Sequence, residues 1–95
     1  MFETILVQFK NCVRFNRYVV TTHAEEEMDE DRFSMFDVES IILSGEVVER
    51  QRDNETTEWK YLICGQSLDE RKAVVVTKMS PTGKMVIITV FEDDE

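Results

Sequence analysis

His23 is the one histidine among 95 residues, and an imidazole of ordinary pKa can give or take a proton near neutral pH. Glu26 and Glu27 follow it by three and four positions, a spacing that brings a carboxylate beside the ring if the segment is helical. The same geometry serves a plain helix start, with the ring bonded to nearby backbone or paired with Glu26 or Glu27. As a metal site the group is weak, because one histidine with solvent-facing carboxylates falls short of a zinc ligand set. Cys12 and Cys64 do not extend it. Neither has a second cysteine or a histidine at zinc-site spacing, and both read as buried, reduced thiols. Cations that could accompany proton transfer stand at Arg50, Arg52, Lys60, Lys72 and Lys78, with Arg14 and Arg17 ahead of the histidine. Tyr61 adds a phenol able to donate a proton or to carry a stacked base.

Charge is distributed unevenly around these residues. The net charge is -9, yet ten acidic residues and one basic residue fall between positions 22 and 49. Residues 1–21 and 50–91 each carry +2, and the last four positions are all acidic. An acidic surface of this kind repels phosphate backbones, so it opposes nonspecific nucleic-acid binding unless another face is used. It is a solvated face or a docking surface for a basic partner. The basic residues further on can complement it, within one chain or across a dimer, and lysines on edge strands also discourage aggregation.

Length and composition indicate a single domain with one core. No apolar run approaches the ~20 residues that span a bilayer, and residues 2–9 lack the basic start and cleavage site of a signal peptide. A soluble, cytoplasmic protein is expected.

The elements that must position the histidine and the cations follow from periodicity. Phe2, Ile5, Leu6, Phe9 and Val13 recur at helical steps, which predicts a helix over about residues 2–15 of an N-terminal segment ending near 17. Tyr18 to Thr21 is β-branched and aromatic, a short strand or extended link. Thr22 is the expected N-cap of a second helix, with Glu25 closing a capping box. Ser34 and Asp37 repeat that spacing, Val38, Ile41 and Ile42 supply an apolar stripe, and Gly45 stands where a C-cap is wanted. A strand and a helical hairpin therefore fill 18–45.

Beyond Gly45 the period becomes strand-like. Strands are expected at Val47 to Arg52, Glu58 to Gly65, Arg71 to Met79 and Met85 to Phe91, the last two joined by the turn Ser80-Pro81-Thr82-Gly83. Trp59, Tyr61 and Phe15 read as core or partial-core aromatics. Residues 92–95 read as a solvated acidic tail. The expected fold is an α+β domain over residues 1–95, with N-terminal helices on one face of a four-stranded, mostly antiparallel sheet spanning 46–91.

Several short runs in this order resemble the domain of unknown function 4258 family. They are Thr22-His23-Ala24 with Met28 five positions after the histidine, Phe33-Ser34, Gly45-Glu46-Val47-Val48-Glu49, Tyr61-Leu62-Ile63 with Gly65, and Ile88-Thr89-Val90-Phe91. The resemblance covers about residues 18–91. It implies kinship with small RelE-like and BrnT-like toxin domains, which set helices against an antiparallel sheet and whose active members cut RNA. It also places His23 at the family's characteristic histidine. The chain departs from the pattern at Glu27 and Asp31, where members commonly carry arginines four and eight residues after that histidine.

Metal-free RNA cleavage needs a base for the ribose 2'-hydroxyl, cations for the phosphorane and an acid for the leaving oxygen. The candidate catalytic residues are His23, placed by the resemblance, and Tyr61, Arg52 and Lys78, by their chemistry, with no metal and no cofactor. RNA or the ribosome, an antitoxin or other basic protein, and a second copy of the chain are the candidate partners, with no membrane. Two functions of different class follow. One is a toxin-type RNA-cleaving or RNA-binding domain, catalytic or degenerate, and the other is an acidic interaction module without turnover.

Overall fold

Three helices lie against one face of a five-stranded mixed sheet in the computed structural model, which describes residues 1–94. The order is α1 (Glu3–Arg14), β1 (Tyr18–Val20), α2 (Thr22–Asp31), α3 (Met35–Ser44), β2 (Glu46–Arg52), β3 (Trp59–Gln66), β4 (Lys72–Met79) and β5 (Met85–Glu92). The sheet runs β1-β5-β4-β3-β2. β2 to β5 form the expected antiparallel meander. The four-strand expectation needs correction, because Tyr18, Val19 and Val20 pair in parallel with Met85, Val86 and Ile87 and add a fifth strand. Tyr18 to Thr21 offers itself as a short strand or extended link, but three residues carry too little pattern to place it in a sheet beside a partner so distant in sequence.

Local chemistry explains the helix boundaries. Ser34 and Asp37 make both halves of the capping box, with the Asp37 amide donating to Ser34 Oγ at 3.2 Å and the Ser34 amide to Asp37 Oδ2 at 2.9 Å. The start of α2 differs from expectation. Thr21, not Thr22, is the N-cap, accepting from the Ala24 amide at 3.1 Å while its own hydroxyl donates to the Ile88 carbonyl at 3.1 Å. One side chain thus starts α2 and fixes it to β5. α2 ends at Arg32 in the left-handed region, φ 59°, with the Phe33 amide reaching back to the Met28 carbonyl at 2.8 Å, a Schellman-type stop.

Gly45 does end α3, though with an extended backbone rather than a left-handed one. Its reason for being glycine is proximity. A Cβ there would lie 2.5 Å from the Ile41 carbonyl oxygen and 2.7 Å from that of Cys64. At Gly65 on β3 a Cβ would lie 2.1 Å from the same Ile41 oxygen and 3.0 Å from the Gly45 Cα. α3 therefore rests backbone against backbone on β3.

The core is the layer between helices and sheet, with Phe9, Val38, Ile41, Ile42, Ile63, Val75, Met85, Ile87 and Val90 fully enclosed. Phe15 departs from the expected core role. It follows the last turn of α1 and is 67% exposed. Glu92 belongs to β5 and pairs with Arg71 at 3.1 Å, so the acidic tail starts one residue later than expected. Among the described residues no helix is long and apolar enough to cross a membrane.

Candidate functional site

His23 occupies the second position of α2, its side chain 66% exposed. Nε2 lies 3.3 Å from Glu27 Oε1, and that same oxygen accepts from the Val90 amide at 3.1 Å. Glu27 thereby pins α2 to β5 with its carboxylate turned toward the histidine. Among the described residues, no three of His, Cys, Asp and Glu gather so as to hold a metal ion.

The other expected site residues lie elsewhere. Tyr61, on β3, is half-buried beneath α1, where its ring meets Phe9 and Phe2 edge-on at centroid distances of 5.6 and 6.2 Å. Thr77 faces Tyr61 across the β3–β4 pair, so neighbouring Lys78 projects from the opposite side of the sheet. There Lys78 Nζ bonds Glu58 at 3.0 Å, and this bond with the lysine's charge holds the Glu58 carboxyl below its ordinary range. Asp53 is held below its usual value first by the Glu55 amide, with Lys60 and Lys78 adding smaller pulls. Arg52 is on β2, three strands from the β5 that carries α2, or about 14 Å at ~4.8 Å per strand. His23, Tyr61, Arg52 and Lys78 thus occupy three separate surroundings.

A different group does converge. Between Val47 and Glu49 the β2–β3 register slips by one residue, because Val47 faces Ile63 while Glu49 faces Leu62. An extra residue in one strand re-aims everything after it. Val47 points to the helix layer, and without the slip Glu49 and Gln51 would follow it. Instead Arg50 and Arg52 turn to that side, opposite Tyr61 and Trp59. Their guanidinium carbons lie 3.9 and 4.3 Å from the centroid of the Trp59 ring, and Arg50 also approaches Phe2 at 6.0 Å. Arg52 Nη1 donates to the Thr57 carbonyl at 2.7 Å.

Neither arginine pairs with a carboxylate among the described residues. In a chain with 20 acidic residues against 11 basic ones, two adjacent uncompensated guanidiniums are an unusual arrangement. Stacking on the indole orders them and leaves N–H donors free for bidentate contact with phosphate or carboxylate. The sequence singles out Arg52, but it offers Arg50 as one cation among several and Trp59 as a core or partial-core aromatic. The bulge that joins them leaves no signature in residue types.

A family model described as Domain of unknown function (DUF4258) matches residues 20–92. The chain belongs to that family. The DUF4258 span runs from the end of β1 to the end of β5, so α1 and its Phe2 and Phe9 contacts to Tyr61 lie outside it. His23, the bulge and the Arg50–Trp59–Arg52 cluster lie inside. No curated protein and no solved structure matches the chain.

Proposed function

We propose that this DUF4258 protein is an RNA-binding domain of RelE-like, toxin-type ancestry that holds RNA on Arg50, Arg52 and Trp59 without His23-dependent cleavage. The observation that carries the reading is the stacking of two carboxylate-free guanidiniums on one partly exposed indole. Guanidiniums held in this way present fixed donors to successive phosphates, and the aromatic edge beside them accepts a base. His23 is separated from these cations by three strands and faces Glu27, an arrangement that suits helix docking better than phosphorane stabilisation. The acidic α2 lies over β5, at the far side of the sheet from the cluster, so its repulsion of a bound strand is screened over more than one Debye length of ~8 Å. A cytoplasmic location fits this role.

The test is titration of a fluorescent single-stranded RNA with the protein at several salt concentrations. Each of Arg50→Ala and Arg52→Ala should weaken binding about tenfold and reduce the salt slope by about one. His23→Ala should leave binding unchanged, and total RNA incubated with or without ribosomes should stay intact. Binding indifferent to the arginine double variant would reject the platform. Cleavage lost in His23→Ala would restore a nuclease centred on the histidine.

A second reading rests on one further observation. Glu25, Glu26, Asp29 and Glu30 line the solvent side of α2 with no cation paired to them among the described residues. An acidic interaction module would use that surface, and its association with a basic protein would weaken steeply with salt and ignore both His23→Ala and the arginine variants.

A further inference from the structure

The side of the sheet turned away from the helices does not look like a surface made for water. A half-solvated antiparallel sheet alternates apolar and polar residues, yet here Leu62, Cys64, Val74, Val76, Val86 and Phe91 all project outward, as the pairings Leu62 with Val76, Cys64 with Val74, and Val74 with Phe91 show. Val74 and Val76 are only 7% and 9% exposed although no helix covers them. Their own neighbours on the open face enclose them. β4 and β5 therefore have the nearly continuous apolar sequence of strands covered on both faces.

The charges at the margins say what kind of molecule covers it. Glu46 and Glu49 project from β2 on this face, Lys60 from β3, and Lys72 and Lys78 from β4, where Lys78 already holds Glu58 at 3.0 Å. The face thus carries the acids of β2 on one side of β3 and Lys72, without an ion pair among the described residues, on the other, with acids and bases in near balance overall. The unpaired carboxylates of α2 lie on the opposite layer.

We propose that a second copy of the chain packs open face to open face, about a two-fold axis running along β3. Rotation about that axis lays β2 of one copy over β4 of the other. Glu46 then meets Lys72 twice over, and Leu62, Cys64, Val74 and Val76 of β3 and β4 close on their counterparts at the usual ~10 Å between sheets. The strands that overlap are β2, β3 and β4, of seven, eight and eight residues. They give a face of about 370 Å² in projection, more with side-chain relief, against the ~800 Å² that each partner contributes to a standard interface, so the pair is of the weak, concentration-dependent kind. Approach by this route keeps the two acidic α2 helices on the outside of the pair. A basic partner would be drawn to α2 instead, and an acidic one finds no net positive field here. Because Cys64 sits on β3, it lies beside the axis and faces its own copy, whereas Cys12 belongs to α1 and is buried in the other layer.

Sedimentation equilibrium across micromolar to millimolar protein, with short bismaleimide cross-linking, tests the arrangement. A dimer is expected, joined covalently through Cys64 and not joined in Cys64→Ser. Lys72→Glu and Glu46→Lys, both at exposed positions, should each weaken it at least tenfold, and the two together should restore it. A chain that stays monomeric throughout this range overturns the proposal. So does a dimer that ignores both charge reversals, or one that cannot be linked at Cys64. Circular dichroism of each variant separates lost association from lost folding.

Discussion

Arg71 is the residue whose replacement should cost the fold most among its polar side chains. It stands at the entry to β4 and reaches the end of α2. Nη1 donates to the Asp31 carbonyl at 2.6 Å and Nη2 to the Arg32 carbonyl at 3.0 Å, while the guanidinium carbon lies 4.1 Å from the centre of the Phe33 ring. The same group pairs with Asp69 at 2.9 Å and Glu92 at 3.1 Å, and the Asp69 bond is the first cause of its raised pKa. Each carbonyl bond from a charged donor is worth about 1 kcal/mol once partial exposure is allowed for, and the stacking on Phe33 adds about 0.5–1 kcal/mol. The carboxylate pairs face solvent and are left out of the sum. Arg71→Ala should therefore destabilise by about 2.5–3 kcal/mol, a fall of about 10–20 °C in Tm for a domain of this size. Arg71→Lys keeps the charge and loses the planar fork, so it should recover less than half. Urea unfolding followed by far-UV circular dichroism measures both. A loss below about 0.5 kcal/mol for Arg71→Ala, the level of an ordinary surface change, would refute the idea that this one side chain closes the end of α2.

Gly65→Ala should destabilise by about 3 kcal/mol, the upper end for overpacking, because the atoms its Cβ would strike belong to the Ile41 backbone and cannot swing aside. A thermal melt within ~2 °C of wild type would contradict that. Tyr18 donates to Glu39 at 2.5 Å, and burial first, then the Glu39 carboxylate, push its phenol up to about 12 from 10.0. A pKa raised on folding gives stability that is complete below the unfolded value and lost as pH rises through the folded one. Wild type should thus weaken between about pH 10 and 12 more than Tyr18→Phe does, with tyrosinate absorbance reporting the titration. Equal alkaline losses in both would sink the assignment. Glu26 and Glu30 are like charges four apart on α2, so Glu30→Lys should stabilise by about 0.5–1 kcal/mol by reversing the pair and complementing the helix C-terminus. That gain should fade in high salt, and a gain that persisted at high salt would point to another cause.

The sequence reveals whatever is written in short-range chemistry. Ser34 with Asp37 announces α3 because a capping box is complete within four residues. The apolar stripe of α1 and the four strands of the meander likewise emerge close to their true bounds. What escapes it depends on distant partners. Thr21 and Thr22 are equivalent as local caps, and only the Ile88 carbonyl, reached through tertiary folding, selects Thr21. Gly45 invites a left-handed reading, whereas its real constraint is the approach of α3 to β3. The site is less legible still. Residue types single out His23, Tyr61, Arg52 and Lys78, but facing is decided by register, and one extra residue near Val48 reverses which side of β2 carries the arginines. Lys78 and Tyr61 fall on opposite sides for the same reason of parity.

The parallel pairing of β1 with β5 also sets an order of events during synthesis. The meander from β2 to β5 is assembled from neighbours in sequence and can form as a unit once residue 92 has emerged. β1 precedes all of it, yet among the described residues its only strand partner is β5, the last strand of the meander. Until then α2, β1 and the Thr21 hydroxyl have no β5 to dock on, and Tyr18 to Val20 wait as a short unpaired apolar segment. Completion of the sheet is thus postponed until residue 92 has left the ribosome. Changes that weaken the β1–β5 seam should lower the yield of folded chain in the cell more than they lower the equilibrium stability of protein already folded.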